Sequence, residues 1–178
     1  MKEDEISYEM IVARFSYDSA AGRLIWKFRP VEEFNSKNSW AVWNSRYSGK
    51  YAGRYDARGR LCIQVYGRIR KASRIIWMHQ KREWPVVIDH IDGNPSNDRL
   101  DNLRSVTQAE NNCNRKVAKS SKTGVTGVFC SDNQFVAQIS KGGVRHYLWT
   151  FKKFEDAVAV RKSAEVKFGF HPNHGRRV

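Results

Sequence analysis

The 178-residue chain is poor in the features that mark thiolate metal sites, disulfide scaffolds and membrane spans. Its three cysteines, Cys62, Cys113 and Cys130, are far apart and form no CxxC pair. That spacing argues against a structural zinc site built on thiolates and against a disulfide framework. The cysteines read as reduced core or surface residues of a cytoplasmic protein. No apolar run is long enough to span a bilayer. The opening MKEDEISYEM carries acid and no apolar stretch, so no signal peptide is expected. No internal repeat is visible. Acid is scarce too: 18 Asp and Glu face 32 Lys and Arg, a net charge of +14. Such a surplus points to a polyanionic partner, and nucleic acid is the usual one. A ribosomal or nonspecific cationic protein is the bland counterpart. What the chain does have is aromatic bulk: six Trp, seven Tyr and nine Phe argue against disorder. Its length allows one medium domain or two small ones.

Periodicity places the elements. Tyr8 to Phe15 reads as a short amphipathic helix, and Tyr17 to Phe28 as a turn entering a strand. Pro30 to Ser48 has no clear period and reads as a long loop with aromatic anchors. Leu61, Ile63 and Val65 alternate as a strand, Tyr66-Gly67-Arg68 turns it, and Ile69 begins the return. Ala72, Ile75, Ile76 and His79 share one face of a helix running to Arg82. His79 on that face reads as a satisfied buried histidine. Near the C-terminus three strands are expected, over 125–131, 134–140 and 144–151, followed by a helix over 154–168. Ala157, Val160, Ala164 and Phe168 would form its inner face, and Gly169 its C-cap. His171 and His174 fall in a polar tail and receive no role.

The chemistry sits between Val86 and Lys116, VVIDHIDGNPSNDRLDNLRSVTQAENNCNRK. A β-branched run ends in Asp89-His90. A loop rich in Gly, Asn, Pro and Asp follows, then a second short strand, Leu103 to Val106. Thr107-Gln108-Ala109-Glu110 has the form of a capping box, so a helix should start there. Phosphodiester hydrolysis needs a base that is neutral near pH 7, which imidazole provides. It also needs a hard cation to neutralise charge on the phosphate, and such cations take few protein oxygens. Asp89 and Asn111 offer a carboxylate and an amide oxygen beside the histidine.

On Asp89-His90, Asp92-Gly93-Asn94, Asn97, Asn102-Leu103 and Glu110-Asn111-Asn112, this segment resembles the HNH (ββα-metal) nuclease motif. The likeness is to the form found in phage homing endonucleases, where the third position is asparagine. The resemblance implies His90 as general base, Asp89 and Asn111 as metal ligands, with Asn112 the alternative to Asn111, and Asn102 bracing the loop. Arg104 is a candidate contact to the scissile phosphate, with an ordinary exposed arginine as the other reading. Asn94 and Asn97 read as turn formers. Mg²⁺ or Mn²⁺ is implied, and no structural zinc is expected.

Lys122 to Phe168 resembles the plant Apetala/ethylene-response-factor DNA-binding domain. The matching residues are Thr126-Gly127-Val128, Phe135-Val136-Ala137-Gln138-Ile139, Tyr147-Leu148-Trp149-Thr150-Phe151 and Glu155-Asp156-Ala157. In that family the sheet enters the major groove, which admits a β-ribbon. Thr126, Phe129 and Ser140 stand where plant members carry arginine, and Trp149 where glycine is expected, so the plant base contacts do not transfer. Arg145, Tyr147 and Trp149 are the DNA-facing candidates here, with packing against the helix as the alternative for the aromatics. From Asn112 to Val178, 13 Lys and Arg face four acids, a net of +9, so affinity should fall steeply with salt.

The expected fold is α+β: a ββα-metal HNH core with N-terminal hairpins, plus a C-terminal three-stranded antiparallel sheet packed on one helix. The expected domains are a nuclease domain over 1–116 with core motif 86–116, a basic linker over 117–123, and a DNA-binding domain over 124–178. The expected activity is metal-dependent endonucleolytic cleavage of double-stranded DNA; the chain is expected to be a monomer or weak dimer, a monomer nicking one strand and a dimer giving double-strand breaks. No membrane and no obligate protein partner are expected, and the setting is the bacterial host cytoplasm if phage-encoded. A DNA-binding regulator with an inactive motif and a cationic coat protein are the alternatives.

Overall fold

The computed structural model describes residues 5–112, 117, 121–172 and 174–175. Cys113, linker positions 118–120 and the side chain of Asn112 lie outside the described residues. The chain is a mixture of helices and small antiparallel sheets. It divides into two compact units, 1–106 and 107–178.

The first unit begins with helix α1 (Tyr8–Arg14), capped by the Ser7 hydroxyl, which accepts from the Met10 N–H. Strands β1 (Phe15–Asp18) and β2 (Arg23–Trp26) then form a hairpin. The helix thus stops one residue short of the expected end, because Phe15 turns extended and becomes a strand residue with its ring wholly buried. The segment expected to be a loop, Pro30 to Ser48, instead holds a single 3-10 turn (Val31–Glu33) and helix α2 (Lys37–Tyr47). This helix has no apolar stripe to betray it. It is fixed by specific bonds: the Ser36 hydroxyl accepts from the Ser39 N–H, and Trp40 Nε1 and Asn44 Nδ2 both donate to the Arg29 carbonyl at 2.9 and 3.0 Å.

A three-stranded sheet follows in the order β3 (Arg54–Tyr55), β4 (Leu61–Val65), β5 (Arg68–Lys71). The turn between β4 and β5 uses Tyr66 and Gly67, both left-handed, as a two-residue hairpin requires. Helix α3 (Ala72–Lys81) leads directly from β5 and ends where Arg82 turns left-handed. Ile75 and Ile76 of α3 meet Ile11, Phe15, Leu24, Leu61, Ile63 and Leu103 in one buried core. Strands β6 (Val87–His90) and β7 (Leu103–Val106) make the last sheet of the unit.

The second unit begins with a short helix, α4 (Gln108–Asn112). Its capping box is formed: Thr107 N–H donates to the Glu110 carboxylate at 2.7 Å, and Glu110 N–H donates to the Thr107 hydroxyl at 3.2 Å. Strands β8 (Val128–Ser131), β9 (Gln134–Lys141) and β10 (Val144–Phe151) form an antiparallel meander, and helix α5 (Phe154–Lys167) follows. Strand β8 starts three residues later than expected, because Gly127 is left-handed at φ 78° and sits against Arg161. A Cβ there would lie 2.4 Å from both Arg161 Nε and the Gln138 carbonyl.

The inner face of α5 differs from the expected one. Ala157 and Ala164 are buried, but Val160 is exposed, and Arg161 takes the central place at 2 % exposure. Arg161 meets Glu165 one turn on, with Nη1 3.1 Å from Oε1, and meets His174 at 3.3 Å. His174, assigned to a polar tail, is therefore a buried partner of this cluster.

Candidate functional site

Strands β6 and β7 pair so that Asp89 faces Arg104 and His90 faces Leu103. The cross-strand pair becomes an ion pair: Arg104 Nε and Nη2 both reach Asp89 Oδ2, at 2.8 and 2.6 Å. Asp89 is buried, so its carboxylate carries this ion pair largely out of water. Leu103, the residue before Arg104, is buried in the core and anchors the strand.

The loop from Asp92 to Asn102 is built almost entirely from Asx hydrogen bonds. Asn102 is buried and donates through Nδ2 to Asp92 Oδ1 at 3.0 Å and to the Asn97 carbonyl at 2.8 Å. Its Oδ1 accepts from the Asp92 N–H at 3.0 Å. Asp92 also accepts from the Asn94 N–H at 2.7 Å and from Asn97 Nδ2 at 2.8 Å. Burial pushes the Asp92 carboxyl up, but these donors, with the His90 ring nearby, outweigh it and hold the group below the ordinary carboxylate value. Gly93, left-handed, donates back to the His90 carbonyl and closes the turn.

Two tethers fix the loop to the rest of the unit. The Tyr17 hydroxyl accepts from the Leu100 N–H at 2.9 Å, and Ser96 Oγ donates to the Gly59 carbonyl at 2.6 Å. The β1–β2 turn presses on the same loop: a Cβ on Gly22, whose φ is 64°, would lie 2.6 Å from the Arg99 nitrogen.

His90 is held by a residue that sequence reasoning passed over. Its Nε2 lies 2.8 Å from Asp98 Oδ1, and Asp98 is 3 % exposed. A carboxylate on Nε2 fixes the ring orientation and keeps the proton on that nitrogen. The opposite nitrogen, Nδ1, has no protein partner among the described residues. In the sequence Asp98 is one more polar residue in a loop full of turn formers. Only its burial separates it from them.

The remaining candidates fall as follows. Asn111 lies in α4, in the second unit, with its N–H bonded to the Thr107 carbonyl. Arg145, Tyr147 and Trp149 lie on β10 and are all exposed, Tyr147 by 60 % and Trp149 by 64 %. Packing against α5 is therefore not what these aromatics do. Among the described residues no group of three or more His, Cys, Asp and Glu is arranged to hold a metal ion. Cys62 and Cys130 are free thiols. Among the described residues no helix is long and apolar enough to cross a membrane.

Comparison with known proteins places the same segment in a known family's range. The HNH endonuclease family model matches residues 70–113, which run from β5 through the His90 strand and loop into α4. Over 41 residues the chain is 56 % identical to Protein 3.8 of Escherichia phage T7, covering 23 % of this chain and 34 % of that protein. Over 85 residues it is 33 % identical to an uncharacterized HNH endonuclease, L560, of Acanthamoeba polyphaga mimivirus, covering 47 % of this chain and 44 % of that one. The chain thus spans less than half the length of either curated relative. No solved structure matches it. The chain carries an HNH endonuclease domain, matched over residues 70–113.

Proposed function

We propose that the protein is a metal-dependent DNA endonuclease that hydrolyses phosphodiester bonds, with His90 as general base. The observation that carries this reading is the His90–Asp98 pair beside buried Asp89, inside the HNH match. Asp98 is the positioning residue: it accepts the Nε2 proton and leaves Nδ1 to take a proton from the attacking water. The water oxygen then bonds to phosphorus as the bond to the leaving oxygen breaks. Asn102 keeps the loop that carries Asp98 in place.

Asp89 and Asn111 are the proposed ligands of a divalent cation, Mg²⁺ or Mn²⁺. Their fit rests on the donor set: one carboxylate already paired with a cation, Arg104, and one amide oxygen. Hard cations are content with so few protein oxygens, whereas zinc prefers nitrogen and sulfur. Such an ion, when bound, supplies charge neutralisation at the phosphate and leaving oxygen. Arg104, paired with Asp89, would be the contact to the scissile phosphate.

The nuclease domain is proposed to run over 1–116, the linker over 117–123 and a DNA-binding domain of the Apetala/ethylene-response-factor kind over 124–178. The exposed set Arg145, Tyr147 and Trp149 supports a DNA-facing role for β10. With one such centre per chain, a monomer would nick one strand, in the cytoplasm of a bacterial host if the protein is phage-encoded. The test is supercoiled plasmid with Mg²⁺ or Mn²⁺. Wild type is expected to give open circles, a chelator to abolish them, and Asp98→Asn to slow the rate roughly ten- to a hundredfold with KM unchanged. Binding without cutting under every divalent cation would replace this reading with a DNA-binding regulator.

A further inference from the structure

We propose that a cavity on the β3–β4–β5 sheet, sharing no residue with the candidate active site, is a nucleotide site that receives one unpaired nucleotide of the DNA. The cavity has a volume of about 660 Å³ and is lined by three arginines and no carboxylate. That size suits a mononucleotide and is far too small for a duplex. Its aromatic wall includes Trp43 and Tyr66. The Arg29 guanidinium lies 4.8 Å from the Trp43 ring centre and 4.3 Å from that of Phe34, and Arg14 lies 5.4 Å from that of Tyr66. Both arginines share one carboxylate oxygen, Glu33 Oε2.

Three positive groups therefore meet one negative one. Two arginines and Glu33 leave a net +1, and Arg54, exposed and without a side-chain partner among the described residues, adds another. An arginine pinned against aromatic rings is already ordered for a phosphate, so little freedom is lost on binding. Planar aromatic faces beside fixed arginines suit a base and its phosphate together. Gln64, exposed on β4, brings an amide donor and acceptor to the same wall, which could meet a base edge.

The DNA as source of the nucleotide rests on the proposed function. The chemistry of the pocket does not, so the test reads binding under chelation and needs no cleavage. Two duplexes are compared, one fully paired and one with a single bulged thymidine. Wild type is expected to bind the bulged duplex about tenfold more tightly, the scale of one base stack. Gln64→Trp, which fills the cavity from an exposed strand position, and Arg54→Gln are expected to remove that preference. Both should leave the affinity for the paired duplex within about twofold and the circular dichroism unchanged.

Equilibrium dialysis with thymidine 5′-monophosphate separates the two sources. Saturable binding lost in Gln64→Trp, with no bulge preference, keeps the nucleotide site and makes its ligand a free nucleotide. Equal affinity for both duplexes with no mononucleotide binding overturns the proposal. So does a bulge preference that survives both substitutions.

Discussion

The two units handle buried polarity in opposite ways. In the first, thirteen apolar residues among those described form the core, and the two buried polar residues of the Asp92–Asn102 loop, Asp98 and Asn102, are satisfied by short hydrogen bonds to His90, Asp92 and Asn97. In the second, the buried cluster of Val128, Ala137 and Ala157 is small, and an arginine occupies the middle of the helix face. Its Nε and Nη1 have no hydrogen-bond partner among the described residues, although Nη1 lies within ion-pair reach of Glu165. The first arrangement suits a rigid chemical site. The second leaves the large aromatics of β10 outside, available to a ligand, and makes stability depend on a few charges.

That contrast can be broken most severely at Arg161. Arg161→Ala leaves Glu165 buried with Lys162 at 2.8 Å and the His174 ring at 4.0 Å, and opens a void against Gly127. Loss of a buried partner costs about 3–5 kcal/mol, and the remaining Lys162 places the expected effect at the lower end. Hydrogen exchange should show amides of 128–168 losing protection while those of 61–106 keep it. Arg161→Met combined with Glu165→Leu should recover much of the loss, since an apolar pair of similar volume suits this core.

Asn102→Ala is the milder counterpart in the first unit. It strands the Asp92 N–H and removes one donor from the Asp92 carboxylate. A cost of about 1–3 kcal/mol is expected in denaturant unfolding of that unit, with exchange in 128–168 unchanged.

The smallest effect is on pH dependence. Burial lowers the His79 pKa, against the opposing bond to the Phe15 carbonyl, so the ring folds neutral. A lowered histidine pKa contributes stability that is complete above the unfolded value, about 6.5, and is lost as pH falls below it. Asp92, also lowered, contributes above the unfolded carboxylate value, about 3.9, and loses that below it. The melting temperature of the first unit should therefore drift down from pH 7 to 5, and His79→Gln, which cannot titrate, should remove that part of the slope.

These outcomes also mark where the sequence was informative. The β6–β7 pair, α3, the β9–β10 hairpin and the Thr107–Glu110 cap follow local rules: alternation, a helical stripe, left-handed turn residues and a reciprocal cap. Helix α2 does not, because Trp40 and Asn44 stabilise it through the distant Arg29 carbonyl rather than through a periodic face. The α5 stripe misled for a related reason. Arg161, a charged residue, packs at the position that periodicity assigned to Val160. At the candidate site Asp89, His90 and Asn102 stand out by motif. Asp98 stands out only once the loop has folded and buried its carboxylate beside the imidazole.

The most direct test of the account is single-turnover plasmid cleavage by His90→Ala, with and without added imidazole. With His90 as general base, the loss should be about a hundredfold to ten-thousandfold with DNA affinity intact, and activity should partly recover when imidazole replaces the missing ring. Cleavage by His90→Ala at the wild-type rate would contradict it.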